Sequence, residues 1–333
     1  MLVTLRHPSD ADRVAAQLQA LGLWTERLKS DSETRALLVR SDSAHVEPRA
    51  ITAIDGVSAV WVPPTTHPKL DALAGAPVTV RGLTIGYGAP PVLISGPCSI
   101  ESPEQIAESA RAVRAAGGTI LRGGAFKPRT SPYAFSGHGN PALGWMRDAA
   151  DSAGLAVVTE VLSERDVDSV ADYADMLQIG SRNMQAFGLL KAAGRAAKPV
   201  LLKRGMAATV EEWLLSAEHL LVAGASGVVF CERGLRSFDP STRNLLDLGA
   251  VALLANVYRL PVVVDPSHAA GRRDLIQPLA RAALGAGAHG LIVECHPDPA
   301  HAKSDGAQAL DPRSLAGLAD ACHFASRENE GRS

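Results

Sequence analysis

From Val92 to Val293 the chain carries eight short apolar runs, each followed by a stretch whose apolar residues recur at helical spacing. The runs are Val92 to Ser95, Thr119 to Arg122, Ala156 to Val161, Met176 to Ile179, Val200 to Lys203, Val228 to Cys231, Val262 to Asp265 and Leu291 to Glu294. Apolar runs with no polar alternation mark strands buried on both faces, and their alternation with helices predicts a parallel sheet. Eight βα units without a surplus predict a closed (β/α)8 TIM barrel, with an open doubly wound sheet as the structural alternative. Helix starts are signalled at Ser102-Pro-Glu-Gln, a capping box with Pro at its first position, and at Thr209-Val-Glu-Glu.

The first 62 residues follow a different rhythm. Met1 to Arg6 reads as a strand, and Ser9 stands ready to cap a helix with Ala11, Val14 and Leu18 on one face. Trp24 to Leu28 and Arg35 to Arg40 flank a polar turn as a hairpin, Ala44 to Ile54 reads as a helix, and Val57 to Val62 as a last strand. This βαββαβ order predicts a small ferredoxin-like domain over 1–62. Prolines and small residues over 63–91 predict a linker, followed by a two-stranded ribbon from Val78 to Tyr87 that plugs the barrel floor. The barrel itself is expected over 92–325, with a polar tail at 326–333.

Composition narrows the function classes. A net charge of −2, from 33 basic and 35 acidic residues, gives no global field for nucleic acid or membranes, so anion binding has to be local. Four cysteines, Cys98, Cys231, Cys295 and Cys322, are too few for a disulfide framework and predict free thiols in a reducing, cytoplasmic setting. The N-terminus lacks a signal-peptide pattern, and no run reaches the length of a membrane span.

The predicted strands end in chemistry. In order, the endings are Cys98, Arg122 with Lys127, Glu160, Arg182, Lys203, Arg233, His268, and Glu294 with Asp305. All eight C-terminal ends of a parallel barrel open on one face, so these residues become one site. Cys98, His268, Glu294 and Asp305 combine a thiolate, an imidazole and two carboxylates, a donor set for one borderline divalent ion such as Mn, Fe, Co or Zn. Arg122, Lys127, Arg129, Arg182, Lys203 and Arg233 would repel one another unless anions neutralise them, which implies more than one phosphate or carboxylate in the substrate. Gly123 and Gly124 let backbone approach a ligand, and Pro128 and Pro132 stiffen the loop that follows.

Leu121-Arg-Gly-Gly-Ala-Phe-Lys-Pro-Arg-Thr-Ser-Pro-Tyr, with Gly96-Pro-Cys-Ser, Ile179-Gly-Ser-Arg-Asn, Leu202-Lys-Arg-Gly, Cys231-Glu-Arg-Gly, Asp265-Pro-Ser-His, Val293-Glu-Cys-His and Lys303-Ser-Asp-Gly, resembles 3-deoxy-D-arabino-heptulosonate 7-phosphate (DAHP) synthase. The resemblance is to the type I beta subtype, which carries an N-terminal ferredoxin-like regulatory domain. It implies condensation of phosphoenolpyruvate with D-erythrose 4-phosphate and water to give DAHP and phosphate, the first step of the shikimate pathway. Carried over by motif, the metal ligands fall on Cys98, His268, Glu294 and Asp305. The phosphoenolpyruvate clamp falls on Arg122, Lys127, Arg182, Lys203 and Arg233, and the sugar-phosphate loop on Lys127, Pro128, Arg129, Thr130 and Ser131. Glu160 matches the acidic residue near the reacting water, and Lys127 is placed as proton donor to the aldehyde oxygen. The resemblance also implies a homo-oligomer, a tetramer being favoured, and an aromatic amino acid as effector. Two alternatives are 3-deoxy-D-manno-octulosonate 8-phosphate synthase, whose family has an Asn-Arg-Ser-Ser type of sequence at the Lys127-Pro-Arg-Thr-Ser position, and a metal- or anion-binding paralogue without turnover.

Overall fold

The computed structural model describes residues 1–324 apart from 31, 41, 42, 128–132 and 134. Pro128, Arg129, Thr130 and Ser131 of the expected sugar-phosphate loop, and the tail at 326–333, therefore lie outside the described residues. The chain divides into two compact units, Met1–Thr66 and His67–Ser333.

The first unit runs β1 (Leu2–Leu5), α1 (Ala11–Ala20), β2 (Thr25–Ser30), β3 (Glu33–Val39), α2 (Pro48–Thr52) and β4 (Val57–Trp61). Its antiparallel sheet has the order β2-β3-β1-β4, the arrangement expected of a βαββαβ ferredoxin-like fold. Val3, Val14, Leu18, Leu23, Leu37, Ile51 and Val57 form its core. Two local expectations shift. Ser9 sits inside a 3-10 turn (Pro8–Asp10), so α1 begins after Asp10 and not after Ser9. The second helix is shorter than Ala44 to Ile54, because Pro48, which fits only the first helical turn, sets its start.

The second unit opens with α3 (Pro68–Asp71) within the expected linker, and continues with the ribbon β5 (Val78–Val80) and β6 (Leu83–Ile85). Then come β7 (Val92–Gly96), α4 (Pro103–Ala115), β8 (Ile120–Arg122), α5 (Asn140–Ala153), β9 (Ala156–Val161), α6 (Val167–Ala171), β10 (Met176–Ile179) and α7 (Phe187–Arg195). The series closes with β11 (Pro199–Lys203), α8 (Val210–Ala223), β12 (Gly227–Glu232), α9 (Leu248–Ala252), β13 (Val262–Val264), α10 (Pro266–Ala270), α11 (Ile276–Gly285), β14 (Gly290–Glu294) and α12 (Pro312–Ala321). β7 to β14 are parallel and form a closed barrel, β14 pairing with β7 and β9 with β10. This is the (β/α)8 barrel that the apolar pattern predicts, and the open sheet is excluded.

Inside the uniformly apolar strands a two-residue alternation sorts side chains between two cores. Ile94, Ile120, Val158, Met176, Leu201, Val229, Val263 and Ile292 face the barrel axis, where Val78, Val80 and Ile85 of the ribbon pack against them and fill its floor. Leu93, Leu121, Val157, Leu177, Leu202, Phe230, Val264 and Val293 face outward into the shell of helices. In that shell Trp213 meets Phe230 edge to face at 5.0 Å, and its indole Nε1 donates to the Leu202 carbonyl at 3.1 Å.

Caps hold the helices as the sequence suggests, with one change of partner. Thr209 and Glu212 form a reciprocal box. At α4 the Ser102 Oγ accepts from Gln105 N, but the Gln105 Oε1 reaches back one residue further, to Glu101 N. A longer-range cap joins the start of this unit to its body: both side-chain oxygens of Glu218 on α8 accept from α3, one from Lys69 N at 3.0 Å and one from Leu70 N at 2.8 Å. Glu218→Ala leaves these donors unpaired in a site where Glu218 is only 9% exposed. We expect a loss of about 2 kcal/mol in denaturant unfolding, against about 1 kcal/mol for the solvent-facing cap Thr209→Ala. Equal losses would show that α3 frays without cost.

Candidate active site at the barrel mouth

The inward phase of each strand continues past its apolar part. Two residues beyond Ile120 stands Arg122; beyond Val158, Glu160; beyond Met176, Gln178; beyond Leu201, Lys203; beyond Ile292, Glu294. The same step leads from Ile94 through Gly96 to Cys98, from Cys231 to Arg233, and from Val263 to Asp265. Every second side chain of a strand points the same way, so the layer above the apolar plug is built of polar and charged groups.

One cavity at the C-terminal ends of the strands is lined by Arg122, Lys127, Glu160, Arg182, Lys203, Arg233, His268 and Asp305. Those eight are all sequence candidates, and the fold brings them together. Gln178, Ser181, Met206 and Arg243 also line it and were not anticipated. Gln178 had a signal, as the single polar residue in the apolar run Met176–Ile179. Arg243 had none, since it lies in the polar loop between β12 and α9 with no apolar pattern around it.

Cys98, Glu294 and Asp305 each bring one ligand atom within 4.8 Å of the others, a group able to hold a metal ion. Cys98 and Glu294 are almost fully buried. The Cys98 Sγ donates to the Asp305 Oδ2 at 3.1 Å, and burial, reinforced by Glu294, pushes the thiol up to about 11. Burial would raise Asp305 too, but the Cys98 hydrogen bond and the charges of His268, Arg243 and Lys127 outweigh it and hold the carboxyl at about 2. Ionised beside two carboxylates in a buried site, the Cys98 sulfur would need a cation among them, and sulfur with oxygen is the donor chemistry of a borderline ion, so these residues fit a metal.

His268, the fourth expected ligand, stands outside the mutual group. Its Nε2 lies 3.4 Å from Glu294 Oε1, while its Nδ1 hydrogen-bonds the Asp265 Oδ2 at 2.7 Å. Burial alone would raise Asp265, yet His268 and Lys203 hold it well below the usual carboxylate range. An ionised Asp265 keeps the proton on Nδ1 and turns Nε2 toward the cluster, the way a carboxylate orients a ligating imidazole. Asp265 stands in Asp-Pro-Ser-His, but its role is visible only in space.

The cations are held with equal care. Arg122 donates through Nη1 to Glu294 Oε1 at 3.0 Å and to the Pro97 carbonyl at 2.9 Å. Lys203 pairs with Asp265 Oδ2 at 2.6 Å, and Lys127 Nζ donates to the Cys98 carbonyl at 2.9 Å. The Nε of Arg122 and the Nη1 of Arg233 are buried with no protein partner, donors left for something that enters the cavity. Two glycines make room. A Cβ on Gly96, at φ +143°, would stand 2.1 Å from the Arg122 carbonyl, and one on Gly180 would stand 1.9 Å from Glu160 Oε1.

Residues 70–327 match the DAHP synthetase I family. A phospho-2-dehydro-3-deoxyheptonate aldolase of Thermotoga maritima is 54% identical over 219 residues, which span 66% of this chain and 65%, just under two thirds, of that protein. A solved structure of phospho-2-dehydro-3-deoxyheptonate aldolase (DAHP synthase) from Thermotoga maritima matches with a TM-score of 0.73 at 41% identity, covering 96% of this chain and 94% of that one. A 2-dehydro-3-deoxyphosphooctonate aldolase of Magnetococcus marinus is 30% identical over 262 residues, covering 73% of this chain and 90% of that protein. With the barrel, the buried thiol and carboxylates and the cationic cavity in place, the chain belongs to the DAHP synthetase I family.

Proposed function

We propose that the chain condenses phosphoenolpyruvate with D-erythrose 4-phosphate and water, releasing DAHP and phosphate as the first step of the shikimate pathway. The observation that carries this reading is the cavity in which Arg122, Lys127, Arg182, Lys203 and Arg233 converge beside the Cys98, Glu294 and Asp305 cluster. The higher identity to the deoxyheptonate aldolase favours it over the octulosonate reaction.

In this scheme Cys98, His268, Glu294 and Asp305 hold one divalent ion, Mn, Co, Fe or Zn. When bound, the ion supplies Lewis-acid polarisation of a carbonyl oxygen. Arg122, Lys127, Arg182, Lys203 and Arg233 bind phosphoenolpyruvate, the unpartnered Arg122 Nε and Arg233 Nη1 offering donors to its anionic groups. Lys127 with Pro128, Arg129, Thr130 and Ser131 takes the sugar phosphate. Fixing two anions against each other is the unfavourable part of the reaction, and the clamps offset that repulsion while setting the approach of C3 to the aldehyde carbon. As the new C–C bond forms, Lys127 delivers a proton to the aldehyde oxygen. Positive charge develops at C2, and Glu160 orients or deprotonates the water that adds there before phosphate leaves.

The N-terminal unit is the seat of regulation in this reading: it takes an aromatic amino acid, tyrosine or phenylalanine, and contributes to a homo-oligomer, a tetramer. The barrel unit brings its own core and site, and His67 is buried within it, so a shortened chain should begin at His67.

Initial rates with erythrose 4-phosphate should exceed those with arabinose 5-phosphate by orders of magnitude. Chelation should abolish turnover, and Mn or Co should restore it. Cys98→Ser should weaken metal binding more than about 100-fold while leaving the fold intact. Full activity after exhaustive chelation would sink the assignment.

Lys127→Ala should lower kcat by about 10²–10⁴-fold, the range for loss of a general acid. Arg233→Ala should chiefly raise the KM for phosphoenolpyruvate by about 10–100-fold, the worth of a charged hydrogen bond. If both changed only the KM for erythrose 4-phosphate, the allocation of the anion sites would be reversed.

A chain of residues 67–333 should keep its turnover and lose inhibition by tyrosine or phenylalanine. Inhibition identical to that of the full chain would place the effector on the barrel.

A further inference from the structure

Gln308 lies in the loop after β14 and is only 2% exposed. Its side-chain amide is used at both ends. The Nε2 donates to Glu294 Oε2 at 2.6 Å, and the Oε1 accepts from Arg243 Nη1 at 3.0 Å. The same Arg243 Nη1 reaches Asp305 Oδ1 at 3.3 Å. The Gln308 backbone completes the link, because its N–H donates to the Asp305 carbonyl at 3.2 Å and closes the turn in which Asp305 takes a left-handed φ of +52°.

We propose that Gln308 is a positioning residue of the metal site, fixing the spacing of Glu294 and Asp305, the former directly and the latter through Arg243 and its own backbone. The inference rests on the metal reading of Cys98, His268, Glu294 and Asp305. Glu294 Oε1 is already engaged by Arg122 at 3.0 Å and faces His268 at 3.4 Å. A carboxylate held at one oxygen still rotates about its last torsion, which is broad. Gln308 holds the second oxygen and stops that rotation. It does so without charge, which matters here: a second cation on Glu294 would repel the ion that the carboxylate is to bind, whereas an amide donor orients it at no such cost. The mutual 4.8 Å spacing of the Cys98, Glu294 and Asp305 ligand atoms is then a property of the loop and does not wait for the ion to gather them.

The test uses the full-length chain and cadmium as probe, because a Cd–thiolate bond gives an ultraviolet charge-transfer band that reports binding without turnover. The band is assigned to Cys98 by its loss in Cys98→Ser, since the other three cysteines remain in that variant. Gln308→Met fills nearly the same volume but neither donates nor accepts at these positions. We expect its Kd for cadmium to rise about 10–100-fold, the usual effect of removing a partner of a metal ligand. Its kcat at saturating Mn should fall less than its metal affinity does, and the thermal midpoint of the metal-free protein should stay near that of the unmodified chain. If Gln308→Met fails to fold, Gln308→Leu serves as the second apolar replacement. An unchanged cadmium Kd in a folded variant would overturn the proposal, as would a loss of affinity fully accounted for by a lowered thermal midpoint. Absence of a Cys98-dependent band in the unmodified chain would overturn the underlying metal reading, a result distinguishable from the first two.

Discussion

Closing eight parallel strands into a barrel forces every second side chain of each strand toward a common axis, and what can stand there depends on height. Near the floor the axis is sealed from water by Val78, Val80 and Ile85 of the ribbon, so only apolar residues are tolerated. At the mouth the strands end, a cavity opens, and the same inward phase can carry charge, as with Arg122, Lys203 and Glu294. The dry plug below and the charged layer above are one arrangement. The apolar floor excludes solvent from beneath ions that would otherwise be screened by water.

Much of that charged layer survives burial because its groups answer one another. Asp265 serves Lys203 and His268 at once, Glu294 serves Arg122 and Gln308, and Asp305 serves Cys98 and Arg243. Breaking such sets is costlier than forming them is rewarding, because the partner left behind stays buried and charged. The donors without protein partners, Arg122 Nε and Arg233 Nη1, stand out against this satisfied background. They are where an anionic substrate would be felt most.

The rim shows how the loops are tied to one another. Arg204, next to Lys203, donates through Nη1 to Glu232 Oε2 at 3.1 Å and to Asp247 Oδ2 at 2.8 Å, while Glu232 Oε1 accepts from Gly234 N at 2.7 Å. These bonds join the ends of β11 and β12 to the start of α9. They fix the backbone on both sides of Arg233. Burial raises the Glu232 carboxyl despite the Arg204 beside it.

The amino-acid sequence by itself determined the strands and their number, because burial on both faces leaves a local record: eight apolar runs, each found within about one residue of its expected bounds. It also determined which residues end those runs, whereas which of the two phases faces the axis was decided only when the barrel closed. Other features depended on contacts between distant segments. That Cys98 meets Asp305, that Asp265 orients His268, and that His268 itself stays outside the tightest group are facts of loop geometry with no local signature. Gln308 and Arg243 were illegible for the same reason: an amide and a guanidinium on polar loops look like solvated surface until the fold places them against Glu294 and Asp305. Local periodicity records whether a residue is buried, whereas the partner of a buried polar group is chosen only when the chain closes on itself.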